Sequence, residues 1–267
     1  MTHVRRLEAD YGKVRLWGTI SFIFGSFLGG VILEGHEEVM ILVAIVVSSV
    51  FVVWGFYFLP DTRSEGNAPR LLDGVKLATR PIFILFIVTV ALSMSSHSAI
   101  YTFGSLYWRG LGIPESTISF LWAFGAASEI FVFWKGAQLL SRFGPILLIF
   151  IGATAGSFRW YLTGLSTDFW VLTFAQALHA LTFGASHLGG MTFISMIAPP
   201  KLLATAQTLY SALAMGAAMA FMTPLTGRLY SSLGAEITFF SMISLSVISG
   251  ALALILQRNW NGKQIKL

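Results

Sequence analysis

Phe169 to Pro200 reads FWVLTFAQALHALTFGASHLGGMTFISMIAPP. A run of roughly 20 apolar residues crosses the ~30 Å hydrocarbon core of a bilayer as a helix, and this stretch is long enough. Yet it carries His179 and His187, together with Gln176 and Ser186. Ionisable groups at membrane depth are costly, so they face a bundle interior or a wet cavity. At about 100° per residue, positions eight apart lie within roughly 80° of each other. Both imidazoles therefore look out from one side of this helix, about two turns apart.

The rest of the chain fits that setting. Hydrophobic residues make up 55% of the sequence and charged residues 11%, whereas a soluble domain carries about 25% charged residues. The chain is an all-α integral membrane protein, because each apolar run is far too long for a barrel strand. The opening MTHVRRLEADYGKVRLWG is polar and shows no signal-peptide pattern. With no cysteine, disulfides and thiolate metal sites are excluded. No cofactor and no metal site is expected. The net charge of +5 flanks the spans and does not imply a nucleic-acid partner.

Eight spans are expected, at 14–33, 39–59, 81–104, 116–138, 145–165, 169–195, 203–225 and 236–257. If the first begins in the cytoplasm, fourteen basic residues fall in inner segments and two, Arg109 and Arg228, in outer ones. The inner set includes Arg5, Arg6, Lys13, Arg15, Arg63, Arg70, Lys135 and Arg142. The outer loops hold Glu34, Glu37, Glu38, Glu115, Asp168 and Glu236. This bias predicts both termini in the cytoplasm. Small residues mark close helix approach: Gly18, Gly25 and Gly29 in the first span, and a Gly152/Gly156 pair in the fifth. Trp17, Trp54, Trp108, Trp160 and Trp170 lie near span ends, as an aromatic belt would. Pro224 is read as a kink. Within the polar segment Asp61 to Arg80, the spacing of Leu71, Leu72, Val75 and Leu77 predicts a short amphipathic helix on the inner surface.

Five ionisable residues lie inside apolar runs: His97, Glu129, Arg159, His179 and His187. A carboxylate such as Glu129 is either neutral or paired at that depth. It serves as a proton carrier or as a hydrogen-bonded packing acid. Arg159 keeps its charge, so it needs an anion: Glu129, or a substrate carboxylate held bidentately. It sits about 9 Å from the outer end of its span, so snorkelling to the surface is the alternative. Each histidine is a satisfied packing residue or a proton carrier, with His179 nearest mid-membrane. Counting along the helices puts Glu129 nearer the inner face than Arg159, which disfavours a direct ion pair. Phe103, Trp122, Phe124, Phe183 and Tyr210 are candidates for an aromatic substrate site, or else ordinary packing.

Several stretches resemble the major facilitator superfamily. Ala137 to Gly144, AQLLSRFG, is similar to its short cytoplasmic G-x-L-A-D-R-F-G loop, with Ala137 and Ser141 departing from the pattern. Pro224 to Gly234, PLTGRLYSSLG, resembles the end of its eleventh helix. The sharper likeness is to the 3-phenylpropionate permease group. It rests on Asp10 to Gly18, on His97 followed by Tyr101 and Trp108, on Glu129, on Arg159-Trp160, and on His179 with His187. The resemblance implies that the eight spans correspond to helices five to twelve of a transporter built from 3+3 inverted repeats. Residues 1–60 would then be the remainder of an N-terminal half and 61–80 the cytoplasmic inter-half loop. Residues 81–267 would form the C-terminal six-helix bundle. The first four helices would be missing, and the chain a fragment. The order Glu129, Arg159, His179 also repeats the carboxylate, Arg and His of helices eight to ten in lactose permease, of the same superfamily. There a carboxylate follows the His by three residues; here that position is Thr182.

By this resemblance the protein is not an enzyme. It is a proton-coupled importer of a small organic acid, with phenylpropionate-like aromatic acids the first substrate class. Its substrate and proton pathway would be formed by His97, Tyr101, Glu129, Arg159, His179, Phe183 and His187. Its partners would be the substrate, protons and the lipid of a bacterial inner membrane, and it would be a monomer when full length. A proton symporter of sugars or nucleosides is the first alternative. Drug efflux is disfavoured because the first span, with FGSFLGG, lacks the antiporter Gly-Pro. A membrane-embedded hydrolase or acyltransferase using His179 or His187 lacks any supporting nucleophile or metal-ligand spacing.

Overall fold

The computed structural model describes residues 11–33, 39–58 and 71–266. Expectations for Arg5, Arg6, Glu34, Glu37, Glu38, Arg63 and Arg70 fall outside the described residues, as does the whole segment 59–70. All regular structure among the described residues is helical. In chain order the α-helices are α1 (Tyr11–Leu33), α2 (Val39–Phe56), α3 (Leu71–Ala78), α4 (Pro81–Ser95), α5 (Ser98–Gly110) and α6 (Glu115–Trp134). They continue with α7 (Gly136–Leu165), α8 (Phe169–Ala177), α9 (Ser186–Ile197), α10 (Leu203–Leu209) and α11 (Ala218–Asn259).

The eight expected spans are all present, with altered joints. The third is α4 and α5 in series, Pro81–Gly110, broken where Ser96 and His97 turn. The sixth is Phe169–Ile197, in which a π-helical turn, Ala180–Ala185, joins α8 to α9. The seventh and eighth run together through Pro200–Asn259 and part at Gly234. Gly144 in α7 and Gly234 in α11 have φ of 72° and 83° with ψ of 167° and 174°, a region that only glycine enters freely. Each falls between the second and third spans of a three-span unit. The two breaks thus occupy corresponding places in spans three to five and six to eight.

The core is built between helices. Phe83, Phe86 and Val90 of α4 pack with Ile146 and Ile149 of α7, Phe193 and Ile194 of α9, and Leu256 of α11. A second cluster joins Ile100, Trp108, Leu121, Trp160 and Phe239. Close approach is purchased by glycine: a Cβ on Gly156 would lie 2.7 Å from Ser246 Oγ, and one on Gly152 would overlap the Ser186 hydroxyl. The GxxxG pair therefore faces two different helices. Gly25 of α1 has no such neighbour. Outer surfaces are apolar, as on α2, where Val46, Val50, Phe51 and Trp54 are exposed.

Two expectations are corrected. Trp108 and Trp160 are not belt residues: both are buried, and Trp160 Nε1 donates to Ser246 Oγ at 3.0 Å. The amphipathic helix forms at Leu71–Ala78, but it does not simply lie on a surface. Leu77 is fully buried in the core beside Phe83 and Leu203, while Leu72 and Val75 stay exposed. Asp168 caps α8, its carboxylate accepting from the N–H groups of Trp170 and Val171 at 2.9 and 3.1 Å. The exposed Arg109 and Glu115 form an ion pair, which contributes little at such a site.

Candidate functional site

A cavity of about 970 Å³ opens between α1 and the helices that follow α4. Arg15, Gly18, Thr19 and Ile23 of α1 form one wall. The facing wall holds Tyr101, Trp122, Glu129, Arg159, Gln176, His179 and Phe183.

Arg159 sits in this wall, 1% exposed. It does not snorkel. One terminal nitrogen donates to His179 Nδ1 and to Thr182 Oγ, each at 3.0 Å, and the other donates to Gln176 Oε1 at 2.6 Å. Guanidinium has donors only, so His179 Nδ1 must accept. The ring proton is then on Nε2, which lies 3.0 Å from Glu129 Oε1. Glu129 and Arg159 are thus joined through one imidazole and make no direct pair among the described contacts. The depth difference read from the sequence is the reason: His179 fills the step between them.

The network continues in the other direction. His97 lies at the break between α4 and α5, with Nδ1 3.1 Å from the Ser93 carbonyl and Nε2 3.1 Å from Thr182 Oγ. The carbonyl can only accept, so Nδ1 donates, Nε2 accepts, and the Thr182 hydroxyl donates to it. Every link has a direction: Arg159 donates both ways, and the donations run on through His179 to Glu129 and through Thr182 to His97. Thr182, where a carboxylate stands in lactose permease, is here the joint between Arg159 and His97. The amide nitrogen of Gln176 is buried with no acceptor among the described residues.

His187 is not part of this set. Its ring lies 2.9 Å from the Tyr11 hydroxyl and 3.2 Å from that of Tyr210. It shares a helix face with His179, as expected. Phe183 stacks between them, with ring centroids 5.5 Å from each. The π turn supports this alignment. It takes more residues per turn than an α-helix, so it offsets part of the drift that eight α-helical residues accumulate.

Of the five aromatic candidates, Trp122 and Phe183 line the cavity. Phe103 stacks on Tyr230, Phe124 on Phe120, and Tyr210 is buried against Phe86 and His187. Tyr101 lies against His97, Trp122 and His179. Arg15 was counted from sequence as a cytoplasmic flank, but it reaches the cavity wall. Its guanidinium lies over the Phe133 ring, 5.5 Å from the centroid. A Cβ on Gly18 would sit 2.6 Å from its terminal nitrogen, so the glycine three residues on makes its room.

Apolar helices packed around a cavity, with a hydrogen-bonded acid–imidazole–guanidinium chain buried in its wall, define an integral membrane protein with a polar site between its helices. Sequence comparison gives the particular one: the chain belongs to the MFS_1 like family, whose model matches residues 1–241. It is 31% identical over 237 residues to the probable 3-phenylpropionic acid transporter of Escherichia coli (strain K12), covering 87% of this chain and 62% of that protein. It is 26% identical to the maltose permease of Geobacillus stearothermophilus, over 96% of this chain and 65% of that one. The chain thus spans less than two thirds of the length of these curated relatives. The crystal structure of the nucleoside transporter NupG (D323A mutant) superposes with a TM-score of 0.73 at 18% identity, over 94% of this chain and 68% of that one. That likeness bears on the fold alone. The family is one of transporters, not enzymes.

Proposed function

We propose that this protein takes part in proton-coupled import of small organic acids, with phenylpropionate-like aromatic acids as substrates. The observation that carries this reading is the pairing within one cavity of a cation, Arg15, with an aromatic wall of Tyr101, Trp122 and Phe183. A carboxylate suits the first and an aryl ring the second. Three of the five N–H donors of Arg159 are engaged by the protein, whereas the Arg15 guanidinium lies over an aromatic ring, which makes Arg15 the less committed counter-charge for substrate. Glu129, with His179 behind it, supplies the proton site. The likeness to a probable 3-phenylpropionic acid transporter supports the same substrate class. The site lies at the faces that would rock against each other in alternating access. In lightly buffered vesicles carrying the protein, adding 3-phenylpropionate should make the external medium transiently alkaline. Uptake with no pH change would remove proton coupling. Uptake of maltose instead of the acid would favour the second reading, a sugar symporter, which the maltose permease likeness supports.

We further infer an inner-membrane orientation with both termini cytoplasmic, residues 61–80 linking two transporter halves, and a monomeric full-length protein. The chain has no native Cys, so single-cysteine labelling reads the orientation directly. A Ser141→Cys variant should resist an impermeant thiol reagent in intact cells, while Thr167→Cys should react. Both sites are exposed. The opposite pattern would invert the orientation.

A further inference from the structure

We propose that Trp122 is the platform on which the substrate's aromatic ring stacks, and that Ser105 holds it in place for that purpose. This rests on the organic-acid reading above and adds the residue that selects planar aryl acids over saturated-ring acids. The indole nitrogen of Trp122 donates to Ser105 Oγ at 2.8 Å. That bond satisfies the only donor of the side chain within the protein, so what the indole offers the cavity is its carbon framework. Behind it stands the buried Trp108, with ring centroids 6.0 Å apart and planes at 59°. The indole is thus fixed on its polar edge and braced by a second indole, which removes the rotamer entropy that a mobile platform would lose on binding.

The space in front of it is open. Along α6 the cavity is also lined by Ser119, Ala123, Gly125, Ala126 and Glu129; Ser119, Ala123 and Ala126 lie at spacings that share the helix face of Trp122 and have side chains too small to cover the indole. The ring of Tyr101 lies beside it at 6.2 Å, inclined by 33°. Tyr101 is 45% exposed, and its hydroxyl has no hydrogen-bond partner among the described residues. An aryl group entering here meets aromatic surface on two sides. Offset or edge-to-face aromatic pairs prefer centroid separations of about 4.5–7 Å and add to plain area burial, a gain that a cyclohexyl ring of the same length and charge does not receive.

The test compares 3-phenylpropionate with 3-cyclohexylpropionate by isothermal titration of the purified protein. In the wild type the phenyl acid should bind more tightly by about two- to tenfold, the range that an aromatic pair supplies. Trp122→Leu should bring the ratio to one while the cyclohexyl acid still binds. Ser105→Ala, the milder change, should lower the ratio, and Ser105→Thr, which keeps a hydroxyl, should restore it. A purely structural role for Ser105 would weaken both acids alike and leave the ratio unchanged. A wild-type ratio of one or less, or a ratio unmoved by both Trp122→Leu and Ser105→Ala, overturns the platform alone. Failure of the wild type to bind either acid overturns the organic-acid reading, and the platform with it.

Discussion

Replacing Glu129 by Gln should abolish uphill accumulation of substrate and leave counterflow exchange close to the wild-type rate. Glu129 is 6% exposed and lies on α6, where its Oε1 accepts from His179 Nε2–H at 3.0 Å. Glutamine has the same length and keeps an oxygen that can accept that bond, so the rest of the network need not shift. What it cannot do is take up or release a proton. A coupled carrier must do both once per cycle to use the proton gradient, whereas exchange of substrate for substrate returns through the loaded state and never discharges the proton. Each pH unit across the membrane is worth about 1.4 kcal/mol per proton, a tenfold concentration ratio, and that ratio is what the substitution should remove. His179→Gln separates two roles. It should damage both assays if His179 also holds substrate, and uphill uptake alone if it only relays protons to and from Glu129. Radiolabelled uptake beside counterflow in vesicles carrying the protein makes the measurement. Accumulation by Glu129→Gln at the wild-type level would leave Glu129 a packing residue.

The parts of this site that were legible in the sequence share one property: they are ionisable residues in apolar runs, where the cost of burial makes each conspicuous. Glu129, Arg159, His179 and His97 all reached the network. The eight spans were legible for the same reason of hydropathy, and α3 from its apolar spacing. What stayed hidden was sideways placement. Counting residues gives depth along a helix, so it showed that Glu129 and Arg159 are offset, but not that His179 stands between them. It also did not place Thr182 as the link to His97. The break at His97 and the π turn after His179 alter which neighbours a helix face meets, and no periodicity announces them. Arg15 did not stand out as a cavity residue because a basic residue near a span end satisfies the positive-inside pattern whether it faces water or a cavity. Trp108 and Trp160 were misread alike, since a tryptophan near a span end fits a belt until a neighbouring helix covers it. His187 was grouped with His179 by face, but its partners Tyr11 and Tyr210 come from other spans, 176 and 23 residues away.

Arg159 should be the residue whose loss costs the fold most. Its side chain alone engages acceptors from Gln176, His179 and Thr182, which lie on α8, just after it and within the π turn. Without the guanidinium, three buried acceptors lose their donor, and Glu129 loses the opposite charge that His179 connects to it. Removing one partner from a buried charged network typically costs about 3–5 kcal/mol, a large share of the total stability of a domain. Arg159→Met should therefore lower the unfolding midpoint steeply in a denaturant titration in mixed micelles. Arg159→Lys should rescue little of that loss despite keeping the charge. An ammonium is a single point, whereas here two separate nitrogens of one planar fork reach different acceptors. Gln176→Leu provides the scale: it removes one charge-assisted bond, worth about 1.5–3 kcal/mol, but also removes the amide nitrogen that is buried with no acceptor among the described residues. It should be milder than either Arg159 variant. The order Met, then Lys, then the Gln176 variant, from least to most stable, follows from the number of acceptors each leaves without a donor. Arg159→Lys unfolding at the wild-type midpoint would show that charge alone, and not the fork, organises this site.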